Sequence, residues 1–302
     1  MINRSRGFSL IELLLALATT FALSAMMFHL FQHNERVVRD RTLVMDMQQT
    51  ARVVASQIAD EIRMAGQGVP VHSSKFDTAM VESMAVVLPA STNSRIDFRA
   101  GLSDAESAVT GVPPLDVTLN LQSTVSVNDG SAFSAALGTT LPSGKFIYLW
   151  GAASNSTWTW VRAELNAVTS ASLTITPRQT SNTNNTIRFI RLPTVTLEEA
   201  VSIYLSGNSV RRATATDMSN PASPQWSAAN EIGKNFTALN FTYFDSSGNV
   251  VAPTSLANRI SIARVDVQLT VQTADRLSTG RQPTHSLKLR TIPRNLQLRS
   301  AN

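Results

Sequence analysis

A long apolar run follows a short basic segment at the start of the chain. Residues 8–31 span 24 positions, of which 18 are apolar. As a helix they would extend about 36 Å, enough to cross a hydrocarbon core of about 30 Å. A secretory signal peptide has a shorter apolar core of about 7–15 residues and then a cleavage site. Because the helical pattern here continues without a break, we predict a membrane-spanning helix, with Arg4 and Arg6 holding its N-terminus in the cytoplasm.

The helix is expected to continue beyond the membrane over residues 32–66 as an amphipathic segment. Residues 8–65 contain neither Pro nor Gly, and Gly66 to Pro70 form a strong stop signal. Apolar residues recur at intervals of three, four or seven: Val37, Val44, Met47, Ala51, Val54, Ile58, Ile62 and Ala65. We expect a β-domain to pack on this stripe. Coiled-coil pairing is the alternative, although the spacing is not a sustained heptad.

Beyond residue 70 the pattern changes to short alternating runs bounded by Gly, Pro, Ser and Asn, which is typical of β-strands. We therefore predict an α+β fold: a long N-terminal helix packed on an antiparallel β-sheet domain that covers residues 67–302. Residues 100–185 are a candidate second small sheet, and the stretches 120–143, 178–186 and 215–230 are predicted loops or excursions. Predicted strands include 85–88, 95–99, 146–150, 157–162, 200–205, 209–214, 239–244, 260–273 and 285–292.

Composition narrows the function classes. The chain has 302 residues, 43% of them hydrophobic, which supports a packed core and excludes wholesale disorder. It has no Cys, so disulfides, thiolate metal sites and thiol catalysis are excluded. The formal net charge of +5 is small for this length and does not favour nucleic acid as a partner.

A specific motif stands where the apolar run begins. The segment Arg6-Gly7-Phe8-Ser9-Leu10-Ile11-Glu12 resembles the class III signal of type IV prepilins and pseudopilins. In that signal a short basic leader ends in Gly, Phe usually follows, and Glu stands at the fifth mature position. Gly7, Phe8 and Glu12 match these three positions.

The resemblance implies a maturation route. A membrane prepilin peptidase would cut after Gly7, remove the leader of residues 1–7, and methylate the new amine of Phe8. Glu12 of the same or a neighbouring subunit would pair with that cationic amine, which removes most of the penalty of isolated charges in a low-dielectric medium. Glu12 is thus the expected subunit-assembly residue. The alternative is a carboxyl near the interface that snorkels or is protonated.

Further resemblance lies near the C-terminus. Residues 235–245 and 259–271, separated by a Gly turn, resemble the C-terminal hairpin of PilW-type minor pilins, and GspJ-type pseudopilins of type II secretion share much of this layout. Typical major pilins carry Pro and Gly midway along the membrane half of the helix. Their absence here indicates a minor rather than a bulk subunit.

No metal, cofactor or catalytic site is expected. His29 and His33 are four residues apart on one helix face, a spacing that can bind metal, but no third ligand lies nearby in sequence. His72 and His285 are isolated. We find no G-x-S-x-G motif and no Gly-rich phosphate loop, so the sequence does not indicate an enzyme.

Two further features have competing interpretations. Trp150, Trp158 and Trp160 lie near Tyr148, either as sheet core or as a contact surface for a neighbouring subunit. Between residues 276 and 302 there are six basic residues and no acid. That segment is a solvated strand and tail, a contact for an acidic partner pilin, or a DNA-binding element.

The leading functional hypothesis is a minor pilin in the inner membrane with a periplasmic domain, which primes or joins a type IV pilus. Its expected partners are the prepilin peptidase, major and minor pilins, the assembly platform and membrane lipid. A GspJ-like pseudopilin is the close alternative. A pilus-associated adhesin with residues 100–185 as its receptor surface is the second alternative, and an anchored enzyme comes last.

Overall fold

One continuous helix, α1, runs from Leu10 to Arg63, a length of 54 residues, and confirms the predicted long helix. It ends at the predicted stop: Gly66 has a φ of 84°, and its N–H donates to the carbonyl of Arg99 at 2.8 Å. The computed structural model describes residues 9–70, 81–138, 141, 143–154, 157–181 and 184–293. Gly7, Phe8, the leader, His72 and the basic residues Arg294 and Arg299 lie outside the described residues.

Most of the remaining described chain forms antiparallel strands, so the α+β class is confirmed. The strands are β1 (Arg95–Arg99), β2 (Glu106–Ala108), β3 (Leu115–Thr118), β4 (Ser123–Ser126), β5 (Phe146–Ala152), β6 (Trp158–Val168), β7 (Ser172–Thr180), β8 (Thr186–Phe189), β9 (Thr194–Leu197), β10 (Ala200–Ser206), β11 (Ser209–Asp217), β12 (Gln225–Trp226), β13 (Asn230–Gly233), β14 (Phe236–Asp245), β15 (Ile262–Gln272) and β16 (Thr284–Thr291). Two short helices join them: α2 (Ser131–Leu137) and α3 (Leu256–Ser261).

Two sheets and the second half of α1 form the helix module. The first sheet has the order β1-β10-β11-β12, with β13 also on β11, and the second has the order β14-β15-β16. Both sheets bury their inner faces in one core with α1. Gly233 allows β13 to approach the helix, because a Cβ there would lie 2.5 Å from Cγ2 of Val54. Gly207 and Asn208 form the tight turn between β10 and β11, with a φ of 59° at Gly207.

Residues 101–198, between β1 and β10, form a second unit, the insert module. Six of its eight described strands form one sheet in the order β2-β9-β5-β6-β7-β4, and all neighbours are antiparallel. The other two, β3 and β8, form a separate antiparallel pair. The sheet curls until its two edge strands meet at a bridge between Val109 and Val127. The aliphatic and aromatic side chains inside the curl form a separate core. The predicted second sheet is therefore confirmed, although it is larger than the sequence pattern indicated.

The structure corrects the sequence predictions in several places. The predicted loop 215–230 contains β12. The stretch 120–143 is not only loop, since it contains β4 and α2, and Phe133 of α2 is fully buried in the insert core. Residues 85–88 do not form a strand; among them only Val87 makes a bridge, to Phe98. The predicted strand 260–273 is confirmed as β15, but it begins two residues later because α3 extends to Ser261. Ser255 caps the start of α3, its Oγ accepting the N–H of Asn258 at 3.2 Å.

Candidate functional site

The first half of α1 is an exposed apolar rod. Every residue from Ser9 to Phe31 is exposed, including large side chains such as Phe21 and Leu23. By length and composition this helix can cross a membrane. A rod of this kind needs an apolar environment, because water would otherwise contact all of its aliphatic surface. The described β-modules do not cover it.

Glu12 lies in the first turn of this rod. Its Oε2 accepts the backbone N–H of Ser9 at 3.2 Å, so Glu12 occupies the N3 position of a capping arrangement. The carboxylate is therefore held at the N-terminal end of the helix, where the helix dipole favours a negative charge. Sequence reasoning missed this local role, although the Ser-x-x-Glu spacing signals it.

The second half of α1 has two different faces. Met47, Ala51, Val54, Ile58 and Ile62 are buried against the sheets, which confirms that a β-domain covers the predicted stripe. Packing on the chain's own sheets explains why the stripe lacks a heptad.

The opposite face of the same segment carries a second set of apolar residues. Val38, Met45 and Val53 are 63%, 68% and 56% exposed. Their intervals of seven and eight residues place them on one side of a helix with 3.6 residues per turn. We call these three residues the free stripe. The amphipathic pattern in the sequence did not reveal it, because single apolar residues on a polar face are common.

A buried ionic cluster joins the two modules. Glu198 accepts hydrogen bonds from Nε of Arg99 at 2.8 Å, Nε of Arg162 at 2.7 Å, and the hydroxyl of Tyr148 at 3.0 Å. All four side chains are buried. Arg99 ends β1, and Glu198 directly follows β9, two residues before β10 begins, so the cluster sits where the chain enters and leaves the insert module. We call these four residues the neck cluster.

Backbone carbonyls also accept hydrogen bonds from the neck cluster. The Tyr148 hydroxyl lies 2.6 Å from the carbonyl oxygen of Ser83, so it shares its proton between Ser83 and Glu198. Arg99 donates to the carbonyls of Glu82 at 3.2 Å and Pro221 at 3.0 Å, and also to the carbonyl of Ala85. Burial raises the pKa of Tyr148, which keeps its hydroxyl protonated as a donor. A carboxylate held by three donors acts as a clamp that joins β1, β5 and β6 to the link between β9 and β10.

The tryptophan cluster divides between core and rim. Trp160 is fully buried and packs edge-to-face on Tyr148, with ring centroids 6.3 Å apart. Trp158 is 38% exposed and lies 5.9 Å from Trp150. The core interpretation therefore holds for Trp160, and only Trp158 presents a substantial aromatic surface to solvent.

His29 and His33 have a spacing that can bind metal, although no metal site is predicted there. Both side chains are exposed on α1. The described residues contain no group of three or more His, Cys, Asp or Glu side chains that could hold a metal ion. His285 lies on β16, far along the chain from this pair.

Comparison with known proteins adds no relative. No protein-family model and no curated protein sequence matches the chain. Its function is therefore inferred from its own residues and geometry.

Proposed function

We propose that this chain is a minor pilin: a structural subunit anchored in the inner membrane by α1, with its β-modules in the periplasm, that primes or joins a type IV pilus. The proposal rests on the difference between the two halves of one unbroken helix. The first half is an exposed apolar rod, and the second half is docked on the chain's own sheets. A subunit that moves from a bilayer into a filament requires both parts.

Glu12 would favour assembly of the rod with neighbouring subunits, because its carboxylate is costly in the membrane without a cationic partner. A carboxylate in a membrane helix costs about 2.5–3.5 kcal/mol on insertion scales, and a cationic partner removes much of that cost. Cleavage after Gly7 would create such a partner at Phe8. A neighbouring subunit that brings its amine to Glu12 would replace the weak local contact with Ser9 by a charge pair.

The free stripe supports a second contact between helices. Val38, Met45 and Val53 continue the apolar surface of the rod past the membrane on the face that the sheets leave open. In a bundle of pilin helices this face would pack on a neighbour and remove its apolar surface from water.

The test is the fate of two variants in cells that make pili. Glu12→Ala is expected to give a processed membrane protein that is poorly incorporated into filaments. Gly7→Leu is expected to leave the leader uncut, because the peptidase must approach the backbone closely. The matched control is Glu35→Ala, which removes an exposed acid from the same helix beyond the apolar run. Normal incorporation of the Glu12 variant would contradict the assembly role.

A pseudopilin of type II secretion is the alternative from the same class. Deletion of the gene separates the two: loss of surface pili with the major pilin retained in the membrane supports the minor pilin, whereas loss of secretion alone supports the pseudopilin.

The insert module favours one further candidate function, a pilus-associated adhesin. It has its own core and joins the helix module at the neck cluster. Removal of residues 101–198 with retention of piliation and loss of adhesion would support the adhesin. Loss of piliation would favour the assembly role.

A further inference from the structure

Among the residues that the structure describes, strand β16 is an open edge of its sheet. It pairs with β15 over eight residue pairs, from Thr284 opposite Gln272 to Thr291 opposite Val265, and with no other described strand. Alternate backbone groups of an antiparallel strand point to opposite sides. The outward N–H and C=O groups of β16 therefore have no backbone partner among the described residues. Such an edge is a template for a further strand.

The inner face of β16 is incompletely covered. Leu287 and Leu289 pack at the margin of the helix-module core and are only partly buried. Their cross-strand partners on β15, Leu269 and Val267, are fully buried. The core thus stops at β16 with aliphatic surface still in contact with water. An added strand with aliphatic residues on this face would cover that surface.

The outer face of β16 is basic. Lys288 and Arg290 have side chains that are 67% and 66% exposed, and they flank the buried carboxylate of Asp266 at 3.8 and 3.9 Å. Arg264 also contacts Asp266, at 3.2 Å. Three cations thus surround one acid, and the sequence has no acid between residues 276 and 290. This row attracts negative side chains on any strand laid beside it.

We propose that the free edge of β16 binds an extended strand of a partner protein in which acidic residues on the outer face alternate with aliphatic residues on the inner face. A second copy of β16 is a poor occupant, because it would bring Lys288 and Arg290 close to like charges. This binding mode is a strand addition: main-chain hydrogen bonds supply affinity and the alternating side chains supply specificity. It holds whether or not the chain is a pilin.

The experiment uses the full chain in detergent micelles and an octapeptide that alternates Val and Glu, with blocked termini. Amide hydrogen exchange is expected to slow within residues 284–291 when the peptide is added. A peptide with Lys in place of Glu is expected to bind about tenfold more weakly, as expected for two or more exposed charge pairs. A Val-Glu peptide with alternate backbone nitrogens methylated should not bind, because it cannot complete the ladder.

Charge reversal on the protein completes the test. The Lys288→Glu/Arg290→Glu variant is expected to prefer the Lys peptide over the Glu peptide. The control Arg188→Glu/Arg191→Glu changes the same net charge at exposed positions of the insert module and should keep the original preference. The alternative is that Lys288 and Arg290 only prevent other strands from pairing with this edge. In that case the Glu peptide would leave amide exchange at residues 284–291 unchanged, and the proposal would be overturned. An unaltered preference in the reversed variant also overturns it.

Discussion

Replacement of Glu198 by Ala is expected to weaken the joint between the two modules more than any change on the surface. Glu198 is the only acid among the four residues of the neck cluster and accepts from Arg99, Arg162 and Tyr148. Without it, the two buried guanidinium groups of Arg99 and Arg162 lose the carboxylate that both contact. Both lie at positions that solvent does not reach, since their side chains are 0% and 3% exposed.

The expected loss in the free energy of unfolding is large because the ion pairs of Glu198 are buried. Removal of one partner from a buried ion pair typically costs about 3–5 kcal/mol, because the remaining charge is stranded. An exposed pair contributes about 0.2–1 kcal/mol. The pair of Arg178 and Glu164, with side chains 47% and 28% exposed, is the matched control. A domain of ordinary stability, about 5–15 kcal/mol, would lose a large share of it at the neck and little at the control site.

Denaturant unfolding of the full chain in detergent micelles measures the difference. Trp160 is buried against Tyr148 of the cluster, so its fluorescence reports on the neck. Glu198→Ala is expected to lower the free energy of unfolding by about 3–5 kcal/mol, and Arg178→Ala by less than about 1 kcal/mol. If the two variants lie within about 1 kcal/mol of each other, the clamp interpretation is refuted.

Three further predictions concern the helix, a turn and a lysine. Ile58→Ala should lower the free energy of unfolding by about 2–5 kcal/mol because Ile58 is fully buried, whereas Val38→Ala should leave it within about 0.5 kcal/mol; denaturant midpoints compare them. Ser278 donates two hydrogen bonds to Asp40, which lower the pKa of that carboxyl, so Asp40→Ala should speed amide exchange at Ser278 and leave global stability unchanged. Burial lowers the pKa of Lys145 below its usual 10.5. Between the lowered value and 10.5 the unfolded state binds more protons than the folded state, so the free energy of unfolding rises with pH. Lys145→Met should therefore raise the denaturant midpoint near neutral pH, and this gain should shrink as the pH approaches 10.5.

The sequence pattern predicted those elements that depend on residues close together in the chain. The helix, its stop at Gly66 and the buried stripe through Ile58 follow from periodicity and backbone preferences, and the structure contains all of them. β1 has its predicted bounds, Arg95–Arg99. The assembly role that the motif implies for Glu12 stays a prediction, whereas its contact with Ser9 obeys a spacing rule that the sequence also displays.

Contacts between distant segments were not predictable in this way. Arg99 and Glu198 are 99 positions apart, and neither has a neighbour in sequence that indicates burial of a charge. The curl of the insert sheet depends on a bridge between Val109 and Val127, which are 18 positions apart with β3 and β4 between them. The open edge of β16 likewise depends on which strands pair, and strand order is a property of the whole fold.

The central claim is that the apolar rod is a pilin helix that is matured at its N-terminal end. Mass spectrometry of the native polypeptide, with sequencing of its first residues, tests this most directly. A chain that begins at N-methylated Phe8 is the predicted result. A native chain that still begins at Met1, or one trimmed beyond Phe31, would contradict it.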